Sequence, residues 1–135
     1  MRGALKLRFV LAALSGLAVL TAGGGCRPPR GHSYIVRAQV VEMPGPANGQ
    51  TFVLHHEAVD GFVTRGGKVE GMDSMTMPFL VGRTVPLSQI RPGDKIEVIL
   101  HVDWPSDRPV EITGLRKLPP DMKLDFRAAR PPEKP

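Results

Sequence analysis

Cysteine is almost absent from this chain of 135 residues: Cys26 is the only one. A lone cysteine excludes a disulfide within the chain and leaves no thiolate cluster to hold zinc or iron–sulfur. Membrane-length apolar runs are missing as well. The stretch Phe9 to Ala22 is interrupted by Ser15, Gly16 and Thr21, and at about fourteen residues it is too short to cross a bilayer core as a helix. There is no nucleophile–base pair, no glycine-rich phosphate loop and no pair of catalytic carboxylates, so an enzyme is not expected. An excess of one charge is missing where it would matter. The whole chain carries +5, but Ser33 to Leu118 holds nine Lys/Arg against ten Asp/Glu, a balance of −1. The basicity belongs to the flanks, which excludes a nucleic-acid partner.

The amino terminus has the form of an export signal. Arg2, Lys6 and Arg8 precede the apolar stretch with no acidic residue among them, and Gly23-Gly24-Gly25-Cys26 follows it. This arrangement resembles a bacterial lipoprotein signal, which implies residues 1–25 as the signal, Cys26 as the lipidated residue and a membrane anchor through that lipid. Gly23 stands where such signals usually carry leucine. The competing reading is an ordinary secretory signal that leaves Cys26 as an odd thiol. Either way the expected location is the periplasm or cell envelope, where thiols oxidise and methionine and histidine remain as soft-metal ligands.

Residues 26–32 read as a tether and residues 119–135, with five prolines, as a polar tail expected to lack fixed structure. Between them, residues 33–118 suffice for one small core. Five strand-like runs fill this segment: Tyr34 to Met43, Thr51 to His56, Met75 to Val81, Lys95 to Val102 and Val110 to Leu118. Pro78 marks the third as an edge or a bulge, and Pro86 to Ile90 is expected to form one helical turn. The fold class is therefore all-β, a small five-stranded OB-type barrel, with a sandwich as the alternative.

Met75 and Met77 stand at i and i+2 in a strand, so their side chains share one face. Two thioethers side by side suit Cu(I) or Ag(I), and suit magnesium, calcium or zinc poorly. The alternative is that both fill the core. His56 shares its face with Phe52 and Leu54 and so points inward near the start of the third strand, whereas His55 points outward. An imidazole and two thioethers make a three-coordinate site that favours Cu(I) over Cu(II). His101 and His32 are expected in solvent, and Trp104 in packing.

The order TFVLHHEAV, MDSMTMPF, LSQIRPGDKIEVIL resembles the CusF family of periplasmic copper- and silver-binding proteins. The resemblance spans about Tyr34 to Leu118 and implies a monomeric Cu(I) carrier, with Ag(I) as a second ion and His56, Met75 and Met77 as ligands. It implies a partner that is a copper efflux pump component or a cuproenzyme assembly factor, the carrier serving efflux and homeostasis or, alternatively, copper delivery. Met72 occupies the place of the tryptophan that caps the metal in the family's best-known member, which makes Met72 a candidate third sulfur ligand. The loop from Glu57 to Gly71 is longer than in simple relatives and could cover the metal or meet a partner. A different class of reading is a metal-free envelope lipoprotein that uses the barrel to bind a protein partner.

Overall fold

The computed structural model describes residues 30–133, so the expected export signal and Cys26 lie outside the described residues. Alternating apolar residues make five strands: β1 (His32–Glu42), β2 (Phe52–His56), β3 (Met75–Val81), β4 (Lys95–Val102) and β5 (Val110–Lys117). They close into a barrel in the order β1-β2-β3-β5-β4, with β4 returning to β1. Every pairing is antiparallel except β3 with β5, which is parallel and limited to Leu80↔Glu111 and Val81↔Ile112. The protein is an all-β, five-stranded OB-like barrel.

The core lies inside the ring. Phe52, Leu54, Ile96 and Ile112 are fully buried on the inward positions of β2, β4 and β5, as the period of two requires. A shift in register between Ile99 and Leu100 accommodates Gly114 opposite Ile99. Among the described residues no helix is long and apolar enough to cross a membrane.

Three local expectations need correction. His32 opens β1 and stacks on Tyr34 at 6.4 Å between ring centroids, so it belongs to the strand rather than to a tether. Pro86 to Ile90 forms no helical turn; the segment ends in a tight turn in which Ile90 N donates to Leu87 O at 3.0 Å. Val85 and Ile90 are both buried, and anchoring them at either end draws the four residues between into an open path too short to nucleate a helix. Among the described residues the one helical element is a 3-10 turn, Pro46–Asn48, inside the expected β1–β2 turn.

The third correction concerns the tail. Residues 119–133 contain no helix or strand, yet they cross the outside of the barrel with specific partners. Lys95 Nζ donates to Pro120 O at 2.7 Å and to Met122 O at 2.6 Å. Phe126 stacks on His55 at 4.0 Å, and the Arg127 guanidinium makes two 2.8 Å bonds to the Asp60 carboxylate. Proline richness suggests disorder when a segment has nothing to bury or pair with. Here backbone N–H groups find carboxylates on the barrel, and Met122, Leu124 and Ala129 are half-buried.

Candidate metal centre

Strand pairing brings the sequence candidates to one end of the barrel. His56 lies directly opposite Met75, and Leu54 directly opposite Met77. Residues opposed across an antiparallel pair share a face, with Cβ atoms about 5 Å apart and diagonal neighbours about 7–8 Å apart. Thus His56, Met75 and Met77 all project to the inner side at the mouth of the ring. Below them Phe52 opposite Phe79 closes the floor. Pro78 sits where β3 has lost its second neighbour: Met75 to Phe79 pair with β2 alone, the free edge that a residue without an N–H tolerates.

His56 is 1% exposed, and its ring has one satisfied nitrogen. Nδ1 lies 2.7 Å from the Glu57 carbonyl oxygen. A carbonyl only accepts, so Nδ1 carries the proton and Nε2 presents a lone pair. That Nε2 is buried and has no hydrogen-bond partner among the described residues. Burial holds the imidazole below its ordinary pKa of 6.5; the bond to Glu57 O opposes this, and His55 adds to it. The ring is therefore neutral at pH 7. It meets the Phe79 ring in a T-shaped arrangement, 5.8 Å between centroids.

The sulfurs differ in access. Met75 is 43% exposed, whereas Met77 is half-buried against the core. Met72 is half-buried as well and comes from the long loop, which is an irregular hairpin. Val59 N donates to Met72 O at 2.8 Å and Met72 N to Val59 O at 2.9 Å, with a second bridge between Val63 and Val69. The hairpin is pinned from outside: Tyr34 Oη accepts from Val63 N, and Trp104 Nε1 donates to Val63 O, each at 3.0 Å. Trp104 also meets Phe62 edge-on at 6.1 Å and lies under Arg65 at 5.4 Å, so it holds the loop that carries Met72.

The other histidines stand apart. His55 is outside the barrel between Phe126 and Ser74 Oγ, and His101 Nδ1 is 3.1 Å from Ser33 Oγ. Among the described residues no group of three or more His, Cys, Asp or Glu is placed to hold a metal. An imidazole with thioethers is thus the donor set this end of the barrel offers, and it suits a soft monovalent ion. Sequence reasoning did not anticipate Glu57, Asp60, Asp73 and Ser74, which receive the tail. Their only sequence signal is an acidic stretch at 57–73 matched by Arg127 and Arg130 far downstream.

No family model and no curated protein matches the sequence. Among solved structures, the chain is similar to a crystal structure of Ag(I)CusF at 15% identity, with a TM-score of 0.43, covering 64% of this chain and 99% of that one. It is similar to a Cu(II) structure of a CusF variant from Escherichia coli at 14% identity and a TM-score of 0.41, covering 64% and 92%. An apo-CusF structure from Escherichia coli gives 16% identity and a TM-score of 0.39, covering 65% and 92%.

Proposed function

We propose that this protein is an extracytoplasmic carrier of Cu(I), able to take Ag(I), with His56, Met75 and Met77 as ligands and Met72 as the further sulfur donor. The observation that carries the reading is the His56 imidazole: buried, neutral, oriented by Glu57 O, and presenting an unpartnered Nε2 on the face shared by both methionines. An orphaned buried nitrogen costs about 1–3 kcal/mol, a cost that a bound ion removes. Orientation of a ligand histidine through its other nitrogen is a common device of metal sites.

Copper here is cargo. All the donors are uncharged, so the site does not neutralise the ion, and Met75 opens it to solvent on one side. Such coordination suits exchange with a recipient, which we assign to a copper efflux pump component or a cuproenzyme assembly factor. Lipidation at Cys26 would hold the carrier at the membrane surface.

Anaerobic competition with a Cu(I) chelator tests the site. Wild type should hold Cu(I) at least tenfold more tightly than a Met75→Leu/Met77→Leu variant, whose leucines conserve volume and leave the fold intact. Equal affinity would overturn the copper reading and favour a barrel that serves only to bind a protein partner.

A further inference from the structure

The tail meets the barrel at the chain neighbours of the candidate ligands. Asp125 N donates to Glu57 Oε1 at 2.7 Å and Phe126 stacks on His55, so both neighbours of His56 are engaged. Ala129 N donates to Asp73 Oδ1 at 2.7 Å, and a Cβ placed on Gly71 would lie 2.7 Å from the Ala129 Cβ, so both neighbours of Met72 are engaged. Ser74, which precedes Met75, donates its N–H to Arg127 O at 2.9 Å. The Asp60 carboxylate closes the arrangement, taking both Arg127 bonds and the Arg130 N–H at 2.8 Å.

These hydrogen bonds join segments 53 to 70 residues apart. The hairpin that carries Met72 has two isolated bridges and a few turn bonds of its own, and Tyr34 and Trp104 pin it at Val63, away from Met72. A two-stranded hairpin is marginal by itself, and a metal site needs its ligands held closely. A band tied to β2, the hairpin and the start of β3 removes that freedom.

Resting on the copper reading above, we propose that residues 122–130 form a strap that positions His56, Met72 and Met75 relative to one another. Asp60 and Arg127 are positioning residues that act as its clasp. A loosened strap leaves the ligand geometry loose and speeds release through the open side at Met75, so the clasp sets how long Cu(I) is held. The ligands stay the same whether the strap is closed or open; their mutual geometry does not.

The test uses the full mature chain. In the metal-free protein, amide exchange across residues 57–74 should quicken by about tenfold in Arg127→Ala with thermal unfolding of the barrel near wild type. Stopped-flow transfer of Cu(I) to a chelator should be about three- to tenfold faster, the scale of an exposed bidentate ion pair. Arg127→Lys should fall between, because an ammonium cannot reproduce the fork. Asp60→Asn combined with Arg127→Ala should be no faster than either alone. Added perchlorate should quicken transfer from wild type and leave Arg127→Ala unmoved, as screening of an ion pair requires. Unchanged amide exchange in Arg127→Ala would overturn the strap. Faster exchange with unchanged transfer would overturn its positioning role while leaving copper binding in place. Absence of Cu(I) binding by wild type would instead overturn the functional reading, and the positioning role with it.

Discussion

At the scale of single residues, His56 carries a local cost to stability. Its Nε2 has no partner, and its neutral state must be maintained against protonation. A His56→Leu variant should lose Cu(I) binding and yet be as stable as wild type without metal, or more stable by about 1 kcal/mol, by urea denaturation. The relief of an orphaned nitrogen outweighs the lost bond to Glu57 O. The sign of the pH dependence follows from the lowered pKa. Below 6.5 the unfolded chain binds a proton that the folded chain resists, so stability is full above 6.5 and declines as pH falls beneath it, with a slope of up to about 1.4 kcal/mol per pH unit. The variant should lose that slope between pH 6.5 and 5. A slope equal to that of wild type would show that His56 is not the group that titrates.

At the scale of elements, the barrel was legible and its wrapping was not. The β3 and β4 runs match the observed strands end to end, and β2 and β5 differ by one residue at one end, because period-two alternation records which side is buried. The parity that turned His56 inward comes from the same record. The hairpin at 57–74 and the strap leave no such trace. Both are held by backbone groups paired to side chains distant in sequence, which imposes no local period. Gly71 is the exception in principle: its φ of +75° and its contact with Ala129 make it a position that only glycine fills comfortably. Gly71→Ala should cost about 1–2 kcal/mol and expose the strap to limited proteolysis. Gly114→Ala is the comparison. A Cβ there meets the Ile99 Cδ1 at 2.9 Å, the movable end of a half-exposed side chain, and the backbone is unstrained, so loss of stability should be under about 1 kcal/mol.

At the scale of the whole molecule, the titrating groups divide by function. Three carboxylates that tie the structure together are held low: Asp60 chiefly by hydrogen bonds from Arg127, Asp94 by Lys117 and Glu97 by Arg116. A depressed carboxylate contributes stability above its unfolded pKa and loses it only as pH falls through the folded value. These pairs therefore persist at pH 5, where His56 has begun to resist protonation at a cost. Cu(I) affinity should fall between pH 7 and 5 while amide spectra of the strap and of β1, β4 and β5 stay unchanged. Simultaneous loss of strap and copper over that range would contradict the separation.

The parallel seam between β3 and β5 consists of two residue pairs, and it has a consequence in time. β1, β2 and β3 can pair in the order in which a ribosome makes them. Before β5 arrives, however, the strand carrying Met75 and Met77 is supported on one side only. Arg127 must then follow to fasten Asp60. A nascent chain thus holds the proposed donor atoms without the arrangement that brings them together. On the proposed reading of an exported carrier, a chain threaded across a membrane as an extended polymer would arrive empty and acquire its first ion only as a finished molecule.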